Sequence, residues 1–221
     1  MGNVTIYSPY EKIYDYWGES SIESVPLKLR DYLMLFPSEK CPNPILTNEN
    51  PRVRLLKYLY YDDAHPLDNP IPTIEQRKEI IFDPFNPTAP VTDKGYRIFS
   101  QAMTEQIEYE GKTILRIIMG RILPITAYSV SFAVDFYMLT NTTNESNTKD
   151  LALNRLFSMT MCLLEALNGV NIDGVGAFSF NRGLHSDCES SWITDERHSV
   201  GRIVTLAFES VGGGKHYNDF Q

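Results

Sequence analysis

The stretch Val130-Ser131-Phe132-Ala133-Val134-Asp135-Phe136-Tyr137-Met138 sets large apolar residues at every even position against smaller or polar ones between them. A period of two is the signature of a β-strand with one face turned to a core, so a strand is predicted over 130–139. A polar run follows over 141–150, and then a second periodicity takes over. Leu153, Leu156, Phe157, Met161, Leu164 and Leu167 recur at helical spacing, and Gly169 stands where a helix would stop. A helix over 151–167 is therefore predicted to pack on the strand. Outward from this pair, 113–119 is short, apolar and β-branched and reads as a strand, and 120–127, with Pro124, reads as a bend or edge. Further strands are expected over 175–180 and 202–209.

Residues 1–110 have a different texture, helical and broken by prolines. Pro26 fits the first turn of a helix running to Phe36, because its missing N–H costs nothing there, and Pro37 closes it. Pro42, Pro44 and Pro51 mark a loop. A short helix is expected over 52–61, and a loop over 62–72. Thr73 with Gln76 three residues on has the pattern of a capping box opening a helix over 74–82. Ile98, Phe99, Ala102, Met103 and Ile107 suggest one more helix over 95–109. The expected class is α+β: a mainly helical docking region over 1–110, an α+β core over 111–211 that carries self-association, and a flexible glycine-led tail over 212–221.

With 43% hydrophobic and 22% charged residues, the chain is composed like a folded domain rather than a disordered one. A net charge of −8 argues against general binding to nucleic acid, which needs Lys and Arg to displace counterions from phosphates. Three cysteines without paired spacing point away from a disulfide framework and toward a reducing compartment. No apolar stretch reaches the length that spans a bilayer, and the N-terminus lacks the basic start and apolar run of a signal peptide.

Candidate chemistry is sparse. Asp62, Asp63, His65 and Asp68 offer oxygen ligands for a divalent cation, but Pro66 and Pro70 interrupt them and no calcium-loop spacing is matched; a solvated acidic loop is the plainer reading. His185, Cys188 and His198, with Asp195, offer three zinc ligands or a thiol nucleophile with its base and orienting carboxylate. Zinc wants four ligands, and a nucleophile needs rigid supports, so a chance grouping on one loop is favoured. Gly174-Val175-Gly176 precedes a predicted strand rather than the helix that a phosphate-binding turn requires. Ser179 and Ser186 fit no nucleophile pattern. Arg52, Arg54 and Lys57 form a small basic patch suited to salt bridges with an acidic neighbouring subunit. The polar stretch 181–200 is expected to be a mobile loop ordered by a neighbour, with Trp192 as its interface anchor. No enzyme activity, metal or cofactor is expected. The rival reading is a metal-dependent or thiol enzyme using the Asp62–Asp68 or the His185–His198 cluster.

The order strand, helix, strand, strand over the last 110 residues or so resembles the core of tail-terminator and related head–tail joining proteins of tailed bacteriophages. The resemblance rests on Val130-Ser131-Phe132-Ala133-Val134-Asp135-Phe136, the amphipathic helix after it, and Ile203-Val204-Thr205-Leu206-Ala207-Phe208. The segment 55–82 is similar in flavour to virion proteins of crAss-like phages. The resemblance implies a structural virion protein assembled in the host cytoplasm. It would form a homo-oligomeric ring in the neck or tail and touch portal, neck or tail neighbours. It would surround a DNA channel without gripping DNA, and the acidic balance suits such a lumen. Two departures stand out: tail terminators are usually shorter, and the 181–200 stretch is long for them.

Overall fold

The structure is a computed structural model, and it describes residues 24–37, 44–82, 95–100, 112–124, 129–141, 149–172, 175–178, 189–194 and 199–211. Its class is mixed α+β. In chain order the elements are α1 (Val25–Leu33), α2 (Pro51–Tyr60), a 3-10 turn (Pro66–Asp68), α3 (Ile74–Glu79), β1 (Ile98–Phe99), β2 (Ile114–Pro124) and β3 (Ser129–Asn141). After these come α4 (Lys149–Leu167), β4 (Asn171–Ile172), β5 (Gly176–Phe178), β6 (Glu189–Thr194) and β7 (Ser199–Val211).

The seven strands form one sheet in the order β1-β2-β3-β7-β5-β4, and β6 pairs with β7 beside β5. The alternating stretch at 130–138 lies at its centre. β3 pairs with β7 antiparallel without a break from Ser129↔Val211 to Asn141↔Ser199. Its even-numbered residues Phe132, Val134, Phe136 and Met138 are all buried. Cross-strand partners Val204 and Leu206 are buried beside them, so both strands spend their apolar face on one side, as the period of two demands.

Of the stretch 120–127, expected as a bend or edge, residues 120–124 continue β2 to Pro124, so no bend breaks the strand there; 125–127 lie outside the described residues. Met119 pairs with Val134 and Ile122 with Phe132, so Gly120 and Arg121 together oppose Ala133. Such a two-against-one bulge kinks a strand without ending it. Glycine suits the bulge, because a Cβ on Gly120 would lie 3.2 Å from Asp135 Oδ2 and 3.3 Å from the Ala133 carbonyl oxygen, so a larger residue needs these neighbours to give way slightly.

The helix expected over 95–109 is also corrected at its start. Ile98–Phe99 is a strand, parallel to β2, and Ile98 forms a bridge with Ile81. Backbone N–H groups of Arg97 and Ile98 donate to the Ile80 carbonyl, and Phe82 N–H donates to Ile98. This pairing also ends α3 at Glu79 instead of Phe82, since Ile81 and Phe82 are drawn toward the sheet. Here tertiary pairing overrides a local helical pattern. The remainder, 101–111, lies outside the described residues.

The capping box at α3 is present as expected. Thr73 Oγ1 accepts from the Gln76 N–H, and Gln76 Oε1 accepts from the Thr73 N–H. α1 stops three residues before Phe36. Phe36 N–H donates to the Asp31 carbonyl and Leu35 N–H to that of Tyr32, the paired bonds of a Schellman stop. The left-handed position usually held by glycine is occupied by Leu35, at φ 58°, whose side chain is fully buried. Burying a leucine stabilises by about 1.5–3 kcal/mol, enough to offset the roughly 1–2 kcal/mol cost of a left-handed residue with a Cβ.

Helices and sheet share one hydrophobic core. It joins Val25, Leu29 and Leu33 of α1, Val53, Leu56 and Leu59 of α2, the inner residues of β2, β3 and β7, and Leu156, Met159 and Leu163 of α4. A smaller cluster of Phe99, Ile114 and Leu139, with Phe82 and Tyr96 against it, lies at β1. Among the described residues no helix is long and apolar enough to cross a membrane.

Candidate assembly surface on helix α4

The helix at 149–167 carries more apolar positions than one face can use. The buried set is Leu156, Met159, Cys162, Leu163, Ala166 and Leu167, which faces the sheet and α2. Phe157 and Met161, expected in the core, are instead 56% and 41% exposed. They are four residues apart and so lie one turn above the other on the outer side. Large apolar residues in such a pair on an ordered helix are what an interface anchor requires.

Three arginines hold the helical layer in place by serving carbonyls that helix ends leave without partners. Arg155 on α4 is 6% exposed. Its Nη1 donates to the Tyr61 carbonyl at 2.6 Å, to that of Tyr58 at 3.3 Å and to Thr113 Oγ1 at 3.4 Å, and its Nη2 donates to the Asp63 carbonyl. Burial lowers its pKa, while the nearby Asp62 and Asp63 carboxylates favour the charge. Arg97 adds a bond to the Leu59 carbonyl at 3.0 Å and a two-pronged pair with Asp62 at 2.7 and 2.5 Å. Both guanidinium groups thus sit at the negative end of the α2 dipole. Arg77 does the same for α1, donating to the carbonyls of Met34 and Leu35 at 3.1 and 3.0 Å while its Nε bonds Pro72. At the other end of α4, Tyr32 Oη donates to the Ala166 carbonyl at 3.0 Å, and Arg54 pairs with Glu165.

In the acidic loop, two of the carboxylates have partners within the chain. Asp62 is engaged with Arg97. Asp63 Oδ1 accepts from His65 N–H at 3.0 Å and its Oδ2 from Asn69 Nδ2 at 2.6 Å. Asp68 and His65 are exposed. Among the described residues no group of three or more His, Cys, Asp or Glu side chains is placed to hold a metal ion.

The basic patch is drawn inward. Arg52 lies over the Tyr32 ring, 4.4 Å from its centroid, and donates to the Tyr32 carbonyl at 3.3 Å. Arg54 has its partner within the chain. Lys57 is 2% exposed, with Nζ donating to Asn48 Oδ1 and the Leu67 carbonyl at 2.8 and 2.9 Å. An ammonium so buried cannot reach another subunit, which corrects the expectation for Lys57. The triplet signalled its real use only through the neighbouring Asn48 and Tyr32, which a search for charge clusters passes over.

The expectation of a mobile loop over 181–200 is overturned for 189–194, which form β6 in register with β7. Trp192 stands opposite Arg202 in that pairing. The polar serines that suggested a loop, Ser190 and Ser191, sit in a strand opposite Val204 and Ile203. Gly176 opens β5, as a strand position should, and Val175 is buried. Gly174, Ser179, His185, Ser186, Cys188, Asp195, His198 and the tail 212–221 lie outside the described residues. Cys162, which the sequence reading passed over, is buried, and burial pushes its thiol up to about 11, so it is protonated and unreactive near neutral pH. In comparisons with known proteins, no family model, no curated protein and no solved structure matches this chain.

Proposed function

We propose that this chain is a structural assembly subunit, a ring-forming component of a tailed-phage neck or tail that joins portal, neck or tail neighbours around a DNA channel. The observation that carries the proposal is the exposed Phe157–Met161 pair on a helix tied to α1 and α2 by Tyr32, Arg54 and Arg155. A rigid scaffold that spends two large apolar side chains on solvent is built to meet another surface. A closed ring needs one face of a protomer to complement a different face of the next. In the sequence, the strand–helix–strand order that resembles tail terminators supports the same reading, and the acidic balance suits a channel that DNA passes without sticking.

Negative-stain micrographs of the concentrated protein test the proposal. An annulus is expected, and Phe157→Glu should abolish it while leaving the melting temperature of the protomer within a degree or two, because Phe157 packs little of its surface. Particles that never exceed the mass of two chains, at high concentration, overturn the ring. Annuli that persist in the Phe157→Glu variant remove α4 from the interface.

A further inference from the structure

β1 is shorter than strands usually are. It consists of Ile98 and Phe99, which pair with Leu115 and Arg116 of β2. Leu115 N–H donates to the Arg97 carbonyl at 2.8 Å, and the N–H groups of Arg97 and Ile98 donate to the Ile80 carbonyl at 2.7 and 3.0 Å. A side chain reinforces these bonds: Arg97 grips both oxygens of Asp62 and the Leu59 carbonyl at the end of α2. On the same turn of α2, Arg155 donates to the carbonyls of Tyr58 and Tyr61. Two guanidinium groups thus converge on residues 58–62. The Arg97 side chain is only 12% exposed, whereas that of Asp62 is 34% exposed, so solvent protons reach the carboxylate. Asp62, Asp63 and Tyr58 favour the charge on Arg155, and Arg97 opposes it. The Asp63 carboxylate accepts from His65 N–H and Asn69 Nδ2, which leaves Asp62 as the carboxylate that bonds Arg97 directly among the described residues.

We infer that Asp62 is a proton-operated latch: on taking up a proton it releases Arg97, and β1 comes away from the end of α2 while the centre of the sheet stays folded. An ionised carboxylate accepts both guanidinium bonds and offsets their charge, and a neutral carboxyl does neither well. The latch therefore holds where Asp62 is ionised and is lost as pH falls through its titration; an aspartate in water titrates at about pH 4. Arginines keep their charge throughout. The acid form thus leaves Arg97 and Arg155 facing each other around one helical turn, and His65, exposed on the same loop, adds positive charge to it. Release also uncovers apolar surface, because Phe99 of β1 packs with Ile114 and Leu139, and Phe82 and Tyr96 lie against them. This device is independent of the ring reading, which rests on α4.

Hydrogen exchange of the full chain, corrected for the intrinsic effect of pH, tests the latch. The reporters are the amides of Arg97, Ile98 and Leu115, and those of β3 paired with β7 are the reference. Between neutral pH and about pH 4, protection at the reporters should fall about tenfold or more while the reference amides hold. Binding of a dye that reports exposed apolar surface should rise over the same range. Asp62→Asn should show fast reporter exchange already at neutral pH and no further acid step. Asp68→Asn removes an equal charge from the same loop and should keep the native step. Arg97→Gln takes away the partner instead of the carboxylate, so its reporters should exchange fast at every pH, which keeps the test open if Asp62→Asn does not fold. Reporters that stay protected in acid, or that lose protection only together with β3, would overturn the proposal. So would an acid step that survives in Asp62→Asn or in Arg97→Gln, or one that vanishes equally in Asp68→Asn.

Discussion

Arg155 shows how one side chain can fix the relation between two parts of a chain nearly a hundred residues apart. Its partners are almost all carbonyls, on the last turn of α2 and in the loop after it, and among the described residues no carboxylate pairs with it directly. A guanidinium has five donors in a fixed fork, which suits several carbonyls at once; an ammonium does not. Arg155→Met should therefore cost about 2–4 kcal/mol, since each buried acceptor left without a donor costs roughly 1–3 kcal/mol and water can reach part of this site. Arg155→Lys should recover less than half of that loss. Urea denaturation midpoints at constant slope check both values, and a lysine variant as stable as the native chain would show that charge alone, not the fork, is what α2 needs.

Among the elements, β6 departs furthest from its sequence pattern. Two serines and a glutamate beside Trp192 read as loop because alternation is faint over six residues. The strand exists because β7 offers a long, already straight partner: thirteen residues held on the other side by β3. In that pairing the row of Trp192 and Arg202 continues to Met138 and Leu115, both of them buried. Cross-strand neighbours on one face contribute up to about 1 kcal/mol per pair. Trp192→Ala should thus lower the melting temperature of the isolated protomer by several degrees. A melting temperature that stays put while assembly weakens would return Trp192 to the interface role that the sequence suggested. α4 makes the complementary point. Its apolar residues fill two stripes, and helical periodicity cannot say which faces the sheet. Leu156, Met159 and Leu163 won because they meet Val204, Phe136 and the α2 leucines in one cluster, leaving Phe157 and Met161 outside.

For the whole molecule, the consequence of a shared core is cooperativity. Val25 and Leu206 belong to the same buried cluster, and three arginines tie the helical layer together and to α4. Calorimetry should accordingly show a single transition, with near-ultraviolet and far-ultraviolet signals coincident. A separate early melt of α1 to α3 would mean that the helical layer docks without sharing stability. Much of this organisation is visible in residues alone. The period of two at 130–138, the capping box at Thr73, Pro26 in a first helical turn, and the helix ending near Gly169 all follow from local sterics and hydrogen bonding, which act over a few residues and leave their mark in sequence; Pro51, read as loop, instead opens α2. What only the tertiary structure decided depends on partners remote in the chain. Ile98 and Phe99 became a strand because Ile81 and β2 lay on either side. Lys57 turned inward because Asn48 and Leu67 could receive it, and α4 chose its face by what stood opposite. Local periodicity fixes which residues can form an element, whereas the free energy of burying one face rather than another is set by surfaces that exist only after the chain has folded.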